Sequence, residues 1–355
     1  MRTPLHEKNA TTQPLQTFKV FNRGDVLPRA WYYACRASDL PRRGVRALEL
    51  GNQRLVLFRA EDGSLGCLDA FCPHMGTDLA MGTVKGGSLR CMFHHWRFDA
   101  EGACVHRPCD RHGGTEDAAR VRTRAWAVTE RYEALWVFPD ATPDTPLMEF
   151  EPLRGRDVVV AFDALNTSNS PYHVSMVNGL DMQHLSTVHA LNVDLAVTIE
   201  ETPHQFDAVV SGPVPGTGLV GRLARALVGE RYAYAMRYAH ATVAGLTLLR
   251  DTRWPELTMI FAYRPLAGGR SMTQPIFVTE RRPGPLGWLR ARVLLLATRV
   301  AYHVLEEEDE RIYDHIRFTA RNLVAQDAPV ARYIRWVEGL TPSEWGARAP
   351  TPPTG

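Results

Sequence analysis

The sequence predicts an α+β protein: a small all-β domain, then an antiparallel sheet packed on one long helix. Three observations carry this. Residues 18–139 read as short alternating segments between tight turns, with no helix-period pattern of useful length. Residues 196–279 alternate again, in longer segments. Residues 286–322 then change to helical periodicity and good helix formers. Strands enclosing one long helix predict a sheet packed on that helix. The 355 residues suit two domains, since a single core rarely grows much past about 250 residues.

The elements follow in order. Residues 1–17 are polar and expected to be disordered. In the first domain, residues 18–139, the segments 46–50 and 54–58 flank Gly51-Asn52, a hairpin signal. Glu61-Asp62-Gly63 and Asp99-Ala100-Glu101-Gly102 supply further turns, and 134–138 reads as a closing strand. Residues 140–153 form the expected linker, extended because Pro139, Pro143, Pro146 and Pro152 remove donors and restrict their predecessors. The second domain, residues 154–340, opens with a strand at 157–162, followed by a short helical stretch at 176–189. Gly212-Pro213 and Ala267-Gly268-Gly269 punctuate its long strands. The tail, 341–355, carries Pro342, Pro350, Pro352 and Pro353 and is expected to be disordered.

Composition excludes several classes. The 41 basic and 39 acidic residues leave a formal net charge of +2, with no basic block of the kind a nucleic-acid binder uses. Lys8, Lys19 and Lys85 are the lysines and the other basic residues are arginine, a bias expected of a GC-rich bacterial genome. No secretory signal is evident. The most apolar run, 293–305, is interrupted by Arg299 and His303 and falls short of the roughly 20 residues that span a bilayer. A soluble, cytoplasmic protein with no membrane span and no nucleic-acid partner is expected. Six cysteines in such a chain do not make a disulfide scaffold, and closely spaced Cys and His point to metal.

The strongest motif is Cys72-Pro73-His74, then Cys91-Met92-Phe93-His94 after sixteen residues. Such a fixed pattern arises by chance on the order of 10⁻⁴ times per chain, so accident is a poor explanation. Two thiols and two imidazoles could hold a structural zinc tetrahedrally. They could equally hold a [2Fe–2S] cluster, both thiolates on one iron and both imidazoles on the other. Gly76, Gly82, Gly86 and Gly87 around the pairs, and Phe93 and Trp96 as shielding side chains, favour the cluster. Here the sequence resembles the Rieske iron–sulfur family, whose two cluster loops match Cys72-Pro73-His74-Met75-Gly76 and Cys91-Met92-Phe93-His94-His95-Trp96. It departs from the usual pattern at Met92, where Pro is common, and at His95, where Gly is common. His95 is read as a packing or hydrogen-bonding side chain, and its presence is similar to natural-product enzymes such as aminopyrrolnitrin oxygenase. Cys35, Cys67, Cys104 and Cys109 lack histidines at ligand spacing, apart from His106 between the last two, and are read as buried or incidental.

A second motif, Asp181-x-x-His184-x-x-x-x-His189, is weaker alone. Histidines five apart lie about 140° apart on an ideal helix, so both can face one metal only if the helix ends or bulges between them. The alternative is two ordinary histidines on a half-buried helix. Rieske oxygenases, however, carry this pattern after the cluster loops, with a later acidic residue completing a two-histidine, one-carboxylate site for non-haem Fe(II). The resemblance implies His184 and His189 as iron ligands. It implies Asp309 as the third, within Glu306-Glu307-Glu308-Asp309-Glu310-Arg311-Ile312, with Glu308 and Glu307 as the neighbouring candidates. It implies that Asp181 bridges His184 to His94 of an adjacent subunit, as the electron path. Trp31-Tyr32-Tyr33 and Arg332-Tyr333-Ile334-Arg335-Trp336 resemble the family's entry and exit segments.

The resemblance thus implies an α-only terminal oxygenase: a small Rieske [2Fe–2S] domain before a helix-grip catalytic domain. Each chain would carry one cluster and one mononuclear Fe(II), assemble as a homotrimer and use O₂. Electrons would come from NAD(P)H through an external ferredoxin or flavin reductase, since no G-x-G-x-x-G opens a helix after a strand here. The segments 216–228 and 232–249, apolar with few acids, suit a pocket for a hydrophobic small molecule or, equally, a plain core. The expected reaction is hydroxylation or oxidative cyclisation of an aromatic or pyrrolic natural product. The alternatives are steroid, sterol or aromatic-compound monooxygenation or demethylation within the family, and outside it an electron carrier or a zinc-stabilised lipid-binding protein.

Overall fold

A computed structural model describes residues 18–109, 121–189, 195–213, 231–249 and 255–347, without the side chains of 231, 232, 304, 305, 307, 308 and 310. The first part holds two antiparallel sheets. Six strands lie in the order β1-β10-β9-β4-β3-β2: β1 (Tyr32–Arg36), β2 (Val45–Leu50), β3 (Gln53–Arg59), β4 (Leu65–Asp69), β9 (Ala125–Arg131) and β10 (Ala134–Phe138). Leu50 pairs Gln53 across Gly51-Asn52, and Gly51 takes the φ of 57° that such a turn requires. Four short strands form the second sheet in sequence order: β5 (Thr83–Lys85), β6 (Ser88–Arg90), β7 (Arg97–Phe98) and β8 (Cys104–His106). The two candidate cluster loops run from β4 to β5 and from β6 to β7.

The second part is one antiparallel sheet in the order β11-β18-β17-β16-β15-β14-β13, with β12 also paired to β18. Its strands are β11 (Val158–Phe162), β12 (Asn166–Ser168), β13 (Ala196–Glu201), β14 (Gln205–Pro213), β15 (Arg231–Ala239), β16 (Val243–Leu248), β17 (Leu257–Pro265) and β18 (Ser271–Glu280). Helices α1 (Tyr172–Asn178), α2 (Met182–Thr187), α3 (Pro285–Tyr313), α4 (Ala328–Glu338) and α5 (Glu344–Ala347) complete it. Alternation decides which face each strand buries: β14 turns Phe206, Ala208 and Val210 into a core with Met176 of α1 and Tyr333 and Val337 of α4. The start of α3 packs Ala291 and Leu295 on Val159, Leu257 and Phe277.

Three expectations meet a different outcome. The 140–153 segment is not an open linker: Leu147, Met148, Phe150 and Leu153 share a core with Trp31, Trp136, Ile260 and Ile276 from both sheets. Its apolar residues outweigh its prolines. The tail is ordered as far as Ala347: Arg29 N donates to Thr341 O (2.8 Å), Ser343 N to Leu27 O (2.7 Å), and Trp345 is fully buried beside Tyr32 and Trp126. One large aromatic anchors a stretch that composition alone marks as disordered. The long helix ends at Tyr313 instead of reaching Asn322, because Asp314 Oδ1 accepts from Ser168 Oγ (3.0 Å) and Asn169 N (3.2 Å) and so ties the chain to β12. Residues 1–17, 348–355 and the 216–228 segment lie outside the described residues.

Candidate cluster loops and metal centre

The two cysteine–histidine loops close alike. Cys72 N donates to Thr77 O and Cys91 N to Trp96 O, each at 2.9 Å. Four residues after each cysteine the backbone enters the left-handed region, at Gly76 (φ 75°) and His95 (φ 61°). Turns of this kind point backbone and side chains inward at one spot. Cys72 and Cys91 are buried and hydrogen-bond each other, and burial pushes the Cys72 thiol up to about 11. His74 and His94 lie outward with ring centroids 4.6 Å apart, and Trp96 stacks on His74 at 4.2 Å. Two sulfurs inside and two imidazoles outside is the donor order of a two-iron cluster with thiolates on one iron and imidazoles on the other. The donors fit that group. Trp96 covers His74, and Phe93, though 56% exposed, lies against His94 with ring centroids 3.7 Å apart. His95 is exposed at the surface instead of packed. Cys35, Cys67 and Cys104 are buried and Cys109 is exposed.

The second motif meets its geometric condition. Asp181 begins α2, its Oδ1 accepting from Gln183 N (2.9 Å) and His184 N (3.1 Å), an N-cap. The helix stops at Thr187, so His189 falls past its end and turns back toward His184, the ring centroids 5.1 Å apart. Asp309 arrives from α3. Ligand atoms of His184, His189 and Asp309 lie within 4.8 Å of one another, the one such group among the described residues. His189 Nε2 stands 3.4 Å from Asp309 Oδ1, and Asn178 Nδ2 donates to Asp309 Oδ2 at 2.8 Å. Two imidazoles and a carboxylate fit a single iron. Burial raises the Asp309 carboxyl above its ordinary range and lowers the His184 imidazole. A bound cation would reverse the first effect.

Asp181 departs from expectation in one respect. His184 Nδ1 bonds the Asp181 main-chain carbonyl at 2.6 Å, while the carboxylate caps the helix. The carbonyl accepts, so Nδ1 carries the proton and Nε2 is left as the ligand atom.

The triad opens on a cavity of about 290 Å³. One wall is apolar, formed by Tyr234, Met236, Leu246, Met259 and Phe261; the other is polar, with Asn166, Thr273, Tyr302 and Glu306. Glu306 accepts from Asn166 Nδ2 and Tyr302 Oη, and its other oxygen pairs His303 Nδ1 at 3.2 Å. Sequence reasoning assigned no role to Asn178 or Glu306. The available signal was position: Glu306 is one turn before Asp309, hence on the same helix face. The side chains of Glu307 and Glu308 lie outside the described residues.

Residues 30–125 match the Rieske [2Fe-2S] domain. The chain carries a Rieske domain and is similar to Rieske oxygenases. It is 27% identical over 352 residues to a probable 3-ketosteroid-9-alpha-monooxygenase oxygenase component of Rhodococcus rhodochrous, covering 92% of this chain and 83% of that one. It is 35% identical to cholesterol 7-desaturase of Bombyx mori over 46% of this chain and 36% of the relative. To aminopyrrolnitrin oxygenase of Pseudomonas fluorescens it is 32% identical over 47% of each. Matches to several relatives therefore span less than half of their length. Dicamba monooxygenase shares the fold at TM-score 0.66 and 19% identity, covering 90% of this chain and 98% of that one. The family's cofactors are a [2Fe–2S] cluster and a mononuclear iron used with O₂. No helix among the described residues is long and apolar enough to cross a membrane.

Proposed function

We propose that the chain is a Rieske oxygenase that uses O₂ and electrons from an external NAD(P)H-dependent reductase or ferredoxin to hydroxylate or oxidatively cyclise an apolar aromatic or pyrrolic compound. The observation that carries this reading is the cavity itself: a mostly apolar space whose wall includes His184, His189 and Asp309. Cys72, His74, Cys91 and His94 would hold the cluster and those three residues the iron; when bound, these groups would supply single electrons and O₂ chemistry. The chain's own part is positional. The Asp181 carbonyl fixes the His184 tautomer, and Asn178 orients the Asp309 carboxylate. The apolar wall excludes water and packs the substrate's ring face. Glu306 offers a carboxylate at the opposite wall for a substrate N–H or O–H, which favours a pyrrolic or hydroxylated ring.

A homotrimer is part of the reading. The exposed apolar tips Met75, Met92 and Phe93 surround the imidazole edge, a surface suited to burial against the next copy near its Asp181. A steroid is the second substrate class, favoured by the ketosteroid relative that aligns along nearly the whole chain.

Single turnover tests the proposal. Purified protein is assayed for iron and sulfide, reduced by dithionite and mixed with O₂ and panels of indoles, pyrroles and ketosteroids. The expected outcome is about three irons per chain, a rhombic cluster signal and one oxidised product class. Reduced cluster with no product from any panel would make the chain an electron carrier. Zinc without a signal would remove the oxygenase reading.

A further inference from the structure

Helix α3 is apolar on two opposite sides. Ala291 and Leu295 face the sheet. Leu286, Leu289, Val293, Leu296 and Val300, advancing by three and four residues, are each 51–66% exposed. At about 100° per residue they fall within roughly 80° of arc, directly away from the sheet. A helix that is apolar all round is normally buried, and this one has no described residue over its outer stripe. Its flanks are basic. Arg290 and Arg292 border the stripe, Arg292 lying 5.3 Å over the ring of Trp288, itself half exposed. Residues 281–305 contain five arginines and no acidic residue. The acids nearest this end are engaged: Glu280 by Arg156 (2.9 Å) and Arg282 (3.8 Å), Asp157 by Arg281 (3.6 Å). Farther along, Asp163 holds Arg299 at 3.0 Å.

We propose that the outer face of α3 docks on an anionic lipid surface. Apolar side chains along one stripe, a tryptophan beside it and arginines on both flanks are the makeup of a helix that lies in the membrane interface with its apolar side inserted. The occupant follows from charge. A second copy joined about a two-fold axis through this stretch would set arginine against arginine, with no acidic residue within 281–305 to separate them. An anionic headgroup layer complements both flanks while the acyl boundary receives the leucines and valines. The helix is too short in apolar length to cross, so it lies on the surface.

Vesicle sedimentation of the full chain tests this, using phosphatidylcholine vesicles and phosphatidylcholine–phosphatidylglycerol vesicles. Binding to the anionic vesicles is expected to be roughly thirtyfold tighter than to the neutral ones, the effect of two arginines near such a surface, and to weaken with salt. The double variant Leu289→Asp/Leu296→Asp should lose binding, and Arg290→Glu/Arg292→Glu should lose the preference for anionic lipid while keeping its stripe. Unaltered melting curves would show that both variants fold, as their exposure leads one to expect. Failure of the unaltered chain to sediment with either vesicle overturns the proposal. So does a larger assembly that the double aspartate variant splits without any vesicle binding, which would make this face a contact between copies.

Discussion

The cluster loops and the iron centre are built by different means. All four candidate cluster donors lie on two loops that lead into strands of the small four-stranded sheet, each closed by its own hydrogen bond from the cysteine N–H (2.9 Å). The candidate iron donors come from the end of a six-residue helix and from α3, and meet because both helices dock on the same sheet. Local turns make the first site; tertiary packing makes the second. The first should therefore tolerate loss of the second. Asp309→Ala should leave about two irons per chain with a normal cluster signal, and Cys72→Ser should leave about one iron and none of the signal. Iron, sulfide and paramagnetic resonance measurements on both variants check this. If Asp309→Ala also empties the cluster, the two regions form as one unit and the distinction is wrong.

The same distinction explains what the sequence made readable. Cysteine–histidine loops are local, so their spacing alone implied four donors, and the strand alternation was as plain. Asp309 was different. It stands in a run of five acidic residues, and a run of charge does not reveal which member faces inward; only family resemblance selected it, and only docking of α3 brings it to His189 at 3.4 Å. Glu306 was hidden by the same run, although it lines the cavity. Trp345 was hidden by its prolines, because composition averages over a segment while one buried indole decides its fate. Asp181 was visible as a residue, but the division of work between its carboxylate and its carbonyl depends on helix α2 starting there.

Burial of imidazole separates the two regions further. His74 and His94 sit at the surface of their loops, whereas His173 of α1 is sealed against Phe21, with ring centroids 5.0 Å apart. His173 Nδ1 accepts from Asn22 N at 2.8 Å, and burial pushes its pKa down to about 3. The folded chain keeps this group neutral while the unfolded chain protonates it below its ordinary value of 6.5. Stability is thus fully present above about pH 6.5 and falls as pH drops toward 3, by up to about 1.4 kcal/mol per pH unit. His173→Asn keeps an acceptor for Asn22 and removes the titration. Its urea midpoint between pH 7 and pH 5 should therefore fall less steeply by that amount. Parallel slopes for the two proteins would show that the imidazole is not sealed off.

The smallest effect distinguishes the two cluster loops from each other. They share their closing bond and their left-handed residue, but Gly76 fills that position in one and His95 in the other, at φ 75° and 61°. Glycine adopts this backbone freely, while a residue with a Cβ loses about 1–2 kcal/mol there. Since the His95 side chain is exposed, little packing offsets that loss. His95→Gly should then stabilise the protein by about 1 kcal/mol, part of the gain being lost to the greater freedom of glycine in the unfolded chain. Urea unfolding of the cluster-loaded protein measures it. A destabilised variant would mean that the imidazole, which no backbone requirement explains, is held by a contact such as a neighbouring copy of the chain provides, and the loops would differ in function as well as in sequence.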